Sequence, residues 1–345
     1  MNLGGTVKIN KVGVGIVTIS FLLLFIYIFI GHSDDTSSKI LAAPDEENRV
    51  NMKALLVAAK EVAEKGGQQV KVAKKEASDL HIKSKGKTKE GVNDPVTDAD
   101  FRSHCVMYHG LKKKFPTLKV ISEEHDTSEC KNATPSLDVV GMDGQSLPDL
   151  MVANEDVTIW IDPLDATKEF TENLLQYVTT MVCVAVKGRP IIGVIHFPFA
   201  EPPVTYWSWG NVAKSDSITK LGSHKSNLEA PSITVSMSHT GGAQKMAEVA
   251  FGKKAKVIPA AGAGYKVMEV VKGNADIYLH STIIKKWDVC AGNAILHSLS
   301  GSMTDLKGNK LDYSSEEQAV NKDGILAVLT DADLFLEKIA NPSLN

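Results

Sequence analysis

The chain has almost no net charge. Its 38 lysines and arginines nearly balance 41 aspartates and glutamates, which leaves −3 at neutral pH and a pI near 6.4. No overall positive field therefore argues for nucleic acid as a partner, and a small molecule is the better expectation. Cysteine is scarce as well: Cys105, Cys130, Cys183 and Cys290 form no CxxC pair and no metal-ligand spacing, which sets aside a metal centre built on paired cysteines. Cys105, Cys183 and Cys290 fall in apolar-periodic segments and read as buried thiols. A luminal setting permits disulfides, but nothing in the sequence pairs them. There is no internal repeat and no low-complexity segment. Asn132-Ala133-Thr134 is the only N-x-S/T sequon, and it lies in a polar stretch where a glycan at Asn132 would be exposed.

What is present begins with one long apolar run. Residues 12–30 are nineteen consecutive uncharged residues, mostly Val, Ile, Leu and Phe, long enough to cross a bilayer as a helix. Lys8 and Lys11 precede the run and Asp34 and Asp35 follow it. By the positive-inside rule the lysine end stays cytoplasmic and the rest of the chain is delivered to the lumen. A cleaved signal has a shorter apolar core of about 7–15 residues. The expected organisation is a cytoplasmic tail over 1–11, a transmembrane signal anchor over 12–31, a polar, acidic stem over 32–49, and a luminal domain over 50–345. With 43% hydrophobic residues, that last part has ample material for a packed core.

Within it, Leu55, Leu56, Ala59, Val62 and Ala63 recur at helical spacing, with Gly66-Gly67 as an interruption. Lys83, Lys85, Lys87 and Lys89 alternate with polar residues in a basic loop, read first as a solvated surface and second as a device that steers an anion. Thr97-Asp98 starts a helix that runs to about Lys114 and ends at Phe115-Pro116. Strands follow at 119–121 and 157–161, then at 178–186 and 191–197, the last two joined as a hairpin. The C-terminal part mixes strands at 233–236, 255–258 and 276–280 with helices ending near Val271 and spanning about 287–299. His280 and His297 read as packing residues. The class is a layered α/β or α+β arrangement.

Acidic residues stand at four element boundaries: Asp98 and Asp100, Glu123 and Glu124, Asp162 and Asp165, and Asp288. Each alone is ordinary, because a carboxylate suits a helix N-terminus. Brought together they would repel unless a divalent cation sat among them, and hard oxygen donors are what Mg²⁺ takes.

The order Asp100, Glu123-Glu124, Asp162-Pro163-Leu164-Asp165-Ala166-Thr167 and Trp287-Asp288-Val289-Cys290-Ala291 resembles that of the inositol monophosphatase superfamily, lithium-sensitive and Mg²⁺-dependent phosphomonoesterases. The resemblance covers about residues 50–340. It implies an αβαβα stack, two or three Mg²⁺ ions, and Glu123, Asp162, the Leu164 carbonyl, Asp165 and Asp288 as their ligands. It gives Thr167 and Asp100 the orientation and deprotonation of the attacking water, in direct in-line hydrolysis. Most members carry Gly where this chain has Ala166, and a methyl group disfavours φ > 0, so we expect a turn conformation that Ala adopts readily.

Lys168-Glu169-Phe170-Thr171-Glu172-Asn173-Leu174 further resembles the members acting on adenosine 3′,5′-bisphosphate. So do Ser236-Met237-Ser238-His239 and Gly262-Ala263-Gly264-Tyr265-Lys266. In those members Ser236 and His239 would contact the nucleotide, and Gly262 and Lys266 would bind the AMP portion. Together with the anchor, this implies a Golgi-membrane enzyme that removes the 3′-phosphate, with no nucleic-acid partner and with a homodimer left open. The rival readings are an inositol monophosphate phosphatase and a non-catalytic, membrane-tethered nucleotide-binding protein.

Overall fold

The computed structural model describes residues 48–76, 82–87, 93–126, 130, 137, 146–221, 225–237 and 242–341. The apolar run at 12–30, the sequon at Asn132 and the candidate contact His239 lie outside the described residues. Among the described residues no helix is long and apolar enough to cross a membrane.

Strand β1 (Arg49–Asn51) leads into helix α1 (Met52–Glu76), followed by β2 (Lys83–Lys87), β3 (Asn93–Val96) and α2 (Asp98–Lys114). Then come β4 (Lys119–Ser122), β5 (Met151–Ala153), β6 (Val157–Asp165), the short α3 (Thr167–Thr171), β7 (Thr179–Val186), β8 (Arg189–Phe197), β9 (Val204–Trp209), β10 (Ala213–Lys214) and α4 (Asp216–Thr219). The remainder is β11 (Ser232–Ser236), α5 (Ala243–Phe251), β12 (Lys256–Ala260), α6 (Ala263–Val271), β13 (Ile277–His280), β14 (Ile284–Lys285), α7 (Lys286–Ser298), β15 (Ser302–Thr304), β16 (Val320–Asn321), β17 (Ile325–Val328) and α8 (Ala332–Ala340).

Two sheets carry the fold: six strands in the order β10-β9-β8-β7-β6-β4, and five in the order β12-β11-β13-β17-β15. Every residue of β6 is buried, because helices cover both faces of its sheet. Ile159 and Ile161 pack with Leu55, Leu56 and Val62 of α1 and Met107 and Leu111 of α2. Trp160 points the other way, into a layer with Val267 and Met268 of α6 and Ile295 of α7, which also reaches Tyr278 and Ala327 of the second sheet. That sheet's far face buries Ile233, Leu279 and Leu326 against Ala247 of α5 and Phe335 of α8. The layers are therefore αβαβα, as the resemblance implies. Burial of each such large aliphatic side chain is worth about 1.5–3 kcal/mol, and the alternation along β6 shares that gain between two helical layers.

Three expectations need correction. Gly66-Gly67 does not interrupt α1, which runs through both. These glycines serve close packing: a Cβ on Gly66 would lie 2.7 Å from Ser103 Oγ, and one on Gly67 2.9 Å from His196 Nε2. The cysteines are buried but are not thiols: Cys105 is bonded to Cys130 and Cys183 to Cys290. Cα separations of 5.0 Å and 5.7 Å suit such bridges, and the second ties β7 of the first sheet to α7. His280 is buried as expected, but His297 lies on the exposed side of α7.

Candidate active site

The carboxylates converge through strand register. Strands β4 and β6 run parallel with Ser122 opposite Ile161, so the next residues, Glu123 and Asp162, emerge side by side, and Glu123 N–H donates to Ile161 O at 3.1 Å. The β6–β7 ladder then loses register between Asp162 and Asp165. Pro163 has no N–H to contribute there, and its carbonyl accepts from Ser103 Oγ at 2.7 Å. Asp288 arrives from the first turn of α7, where its Oδ2 accepts the Lys285 N–H at 3.0 Å. Glu123, Asp162 and Asp288 each bring an oxygen to within 4.8 Å of the others.

Such a cluster is costly without a counter-charge. Burial, followed by the charges of Glu123, Asp165 and Asp288, pushes Asp162 well above the usual carboxylate range. Burial, Glu123 and Asp165 do the same to Asp288. The donors are all oxygens on rigid element ends, which fits Mg²⁺ in kind.

One cation is already supplied by the protein. Hairpin β2–β3 shifts register between Ser84 and Gly86, which leaves Lys85 as the bulge residue, and a bulge re-aims a side chain. Lys85 Nζ lies 2.9 Å from Glu123 Oε1 and also pairs with Glu124. Burial works against its charge, but Glu123 and Glu124 outweigh burial and hold the ammonium protonated. Residues Lys83–Lys87 of the basic stretch we read first as a solvated loop thus form a strand, and Lys85 belongs to the site; Lys89 lies outside the described residues. Alternation of lysines with small residues over 83–87 signals the strand, but not the turn of Lys85 toward the carboxylates.

Asp100 and Thr167 form the second part. Thr97 caps α2, and Asp100 Oδ2 accepts both the Thr97 N–H at 2.8 Å and its hydroxyl at 2.7 Å. That leaves Asp100 Oδ1 to accept the Thr167 hydroxyl at 2.9 Å, which also lies 3.0 Å from the Leu164 carbonyl. Burial raises Asp100 to about 7 against the hydrogen bond from Thr97, with Glu124 adding repulsion.

Ala166 corrects the turn we expected: its φ is 68°, a left-handed conformation that costs a non-glycine residue about 1–2 kcal/mol. Its carbonyl accepts the Phe170 N–H at 2.9 Å, so the strained residue starts α3. Asp165 turns away from the other three acids. Its Oδ1 accepts the Ala263 N–H at 3.1 Å, and its Oδ2 accepts the Gly264 N–H at 2.8 Å and the Thr179 hydroxyl at 3.2 Å. The turn at 262–264 therefore holds Asp165, and Gly262 is needed there, with φ +66° and only 2.7 Å between a built Cβ and Tyr177 O. Lys266 is 3% exposed and donates to Gly262 O at 2.7 Å. Burial lowers it to about 8, opposed by Asp165, Glu169 and Asp288. Ser236 ends β11 in a buried position. Thr179, which the sequence did not single out, completes the Asp165 cage.

The profile of the inositol monophosphatase family matches residues 51–334. A Drosophila melanogaster protein described as putative inositol monophosphatase 3 is 47% identical over 98% of this chain and 95% of its own length. The Mus musculus Golgi-resident adenosine 3′,5′-bisphosphate 3′-phosphatase is 42% identical over 78% of this chain and 76% of its own. Among solved structures, the extragenic suppressor protein suhB of Bartonella henselae superposes with a TM-score of 0.62 at 18% identity, covering 84% of this chain and 98% of that one. The CysQ structure from Bacteroides thetaiotaomicron gives 0.55 at 21% identity over 81% and 98%. The fold is shared with both, and on the profile match and the relatives above 40% identity the chain belongs to the inositol monophosphatase family, a family of phosphatases.

Proposed function

We propose that the chain hydrolyses the 3′-phosphate of adenosine 3′,5′-bisphosphate to give AMP and phosphate, with Mg²⁺ as cofactor and lithium as inhibitor. The observation that carries the hydrolytic reading is the hydrogen-bonded pair Thr167–Asp100 beside the oxygen cluster of Glu123, Asp162 and Asp288. These three acids, the Leu164 carbonyl and Asp165 would hold Mg²⁺, with Asp165 giving up part of its present backbone contacts. Bound there, the metal would supply Lewis acidity and a lowered pKa for the attacking water. Thr167 would accept a proton from that water as it passes its own to Asp100 Oδ1, the oxygen its hydroxyl already faces at 2.9 Å.

The choice of substrate rests on the run Lys168–Leu174 and on the relative whose name states that activity. For Lys266 the geometry favours support of Asp165 over direct contact with the retained phosphate, since its ammonium is buried and bonded to Gly262 O. Ser236 and His239 remain the proposed nucleotide contacts. The apolar run at 12–30 would anchor the protein in the Golgi membrane with residues 50–345 in the lumen, in line with the name of the same relative.

Inositol monophosphate is the second reading, favoured by the name of the Drosophila relative. Phosphate release by the full chain in detergent distinguishes them. We expect adenosine 3′,5′-bisphosphate to be cleaved only with Mg²⁺, and far faster than inositol 1-phosphate; the reverse preference would replace the substrate, and no release from either would remove the enzymatic reading.

A further inference from the structure

A cavity of about 670 Å³ lies between α1 and the connection from β8 to β9, and none of its lining residues belongs to the carboxylate cluster. Helix α1 contributes Gln68, Lys71, Val72 and Lys75, which recur at intervals of three and four and so share one face. From the β8–β9 connection come Pro198, Phe199 and Pro203, and the fixed φ of proline limits how far that wall can shift. Both walls rest on Phe170 of α3. Lys74 Nζ donates to the Phe170 carbonyl at 3.0 Å and stands 5.0 Å from its ring centroid, and the Phe199 ring is 6.3 Å from the same ring. The cavity is thus held in shape by contacts already made in the folded chain, and its volume is that of a preformed small-molecule site.

The lysines decide its charge. Glu64 is the acid in the lining, and its Oε1 already lies 3.0 Å from Lys60 Nζ and accepts the Thr205 hydroxyl at 2.7 Å. His196 Nδ1 is 2.9 Å from the same hydroxyl oxygen. Burial lowers that imidazole to about 4 against the charge of Glu64, so it is uncharged at neutral pH. Lys71 and Lys75 are exposed and have no acid partner among the described residues. Lys74 spends one of its three N–H donors on Phe170 O, which leaves two. Uncompensated positive charge therefore borders an apolar lining.

We propose that this cavity binds a small aromatic anion, with its ring against Val72, Pro198 and Phe199 and its sulfate, carboxylate or phosphate group on Lys71, Lys74 and Lys75. The flat faces of Phe199 and the prolines suit a planar ring, and the ammonium groups make charge-assisted hydrogen bonds to an oxyanion. Half a ligand uses half the site. An uncharged ring leaves the lysines uncompensated, and an inorganic anion leaves the apolar lining in water.

The test is equilibrium dialysis of methylumbelliferyl sulfate, a fluorescent aromatic sulfate, against the full chain in detergent with a detergent-only blank; it requires no turnover, so it stands or falls apart from the hydrolytic reading. We expect one probe per chain. Methylumbelliferone and inorganic sulfate, the two halves of the probe, should each bind at least about tenfold more weakly, since one forfeits the charge-assisted contacts and the other the apolar ones. K71Q/K75Q should weaken the sulfate ester by at least about tenfold with an unchanged melting curve, because both side chains are exposed. V72W, which fills the apolar part, should weaken the ester and the umbelliferone alike. The double variant E123Q/D162N should bind the probe as wild type does. Absence of saturable binding, inorganic sulfate binding as tightly as the ester, binding untouched by K71Q/K75Q, or binding lost in E123Q/D162N would each overturn the proposal.

Discussion

Lys85 makes a claim that can be put on a free-energy scale. Its ammonium is 2.9 Å from Glu123 Oε1, a separation at which two unit charges attract by roughly 6 kcal/mol at an effective dielectric of about 20. Solvent screens this little, since the side chains of Lys85, Glu123 and Glu124 are 24%, 23% and 6% accessible. Desolvation of the ammonium cancels much of the attraction, and hydrogen bonds to charged groups leave a net of about 2–3 kcal/mol. Lys85→Met should therefore destabilise the metal-free protein by about that amount, which at roughly 2–4 °C per kcal/mol for a domain of this size lowers Tm by about 5–10 °C.

The decisive measurement adds Mg²⁺. If Lys85 occupies the charge position that the metal takes over, its removal costs nothing once the metal is bound, and the variant should match wild type in saturating Mg²⁺. Linkage then fixes a second number: the 2–3 kcal/mol lost without metal must reappear as tighter metal binding, about 30- to 150-fold in Kd. Thermal melts and a Mg²⁺ titration on both proteins read the two sides of one cycle. An equal loss of stability with and without Mg²⁺, together with unchanged affinity, would show that Lys85 and the metal do not compete, and would refute the reasoning.

Other outcomes follow from the same geometry. Ala166→Gly should raise stability by about 0.5–1 kcal/mol in a denaturant titration, because the left-handed backbone at φ 68° no longer carries a Cβ penalty that exceeds glycine's entropic one; a loss would mean that the methyl packs. Replacing both Cys183 and Cys290 by Ser opens a link of sequence separation 107 and should cost about 4–5 kcal/mol on the loop-entropy scale, against no cost if the bond does not form in the folded protein. Lys266→Ala should reduce kcat/KM about equally on a bisphosphate nucleotide and on a substrate with a single phosphate, because the buried ammonium donates to Gly262 O in the turn whose next two N–H groups hold Asp165; a loss confined to the bisphosphate would return Lys266 to the retained phosphate. Asp100 is raised from 3.8 to about 7, so the folded, metal-free protein keeps a proton that the unfolded chain has released, and this group's contribution to stability should fall as pH rises from about 4 to 7. Asp162 and Asp288 are raised as well, so Mg²⁺ binding near neutral pH should release protons, measurable by calorimetry in buffers of different ionisation enthalpy; binding without proton release would contradict the raised values.

What the sequence made legible, and what it did not, divides along one physical line. The strand at 157–161 and the helix starting at Thr97-Asp98 were readable because their signals are local: continuous burial in one, a cap in the other. The acids at four boundaries were visible too, but their meeting depends on the parallel register that sets Ser122 opposite Ile161, and no single-chain periodicity carries register between strands distant in sequence. Only the family resemblance implies that they meet. The errors share that origin. Gly66-Gly67 looks like a break until Ser103 and His196 press on it from other elements. Four unpaired-looking cysteines become two bonds once α2 and Cys130, and β7 and α7, are neighbours. Lys85 looked like a solvated charge because the alternation around it is the pattern of an exposed strand, and all of β2 is indeed exposed. What turns that one side chain into the carboxylates is a bulge between Ser84 and Gly86, a departure from regularity that a search for regularity passes over. The same reasoning applies to Ala166, where a rule about methyl groups and positive φ met a turn fixed on both sides by buried contacts. The local preference was real, and the tertiary structure overrode it.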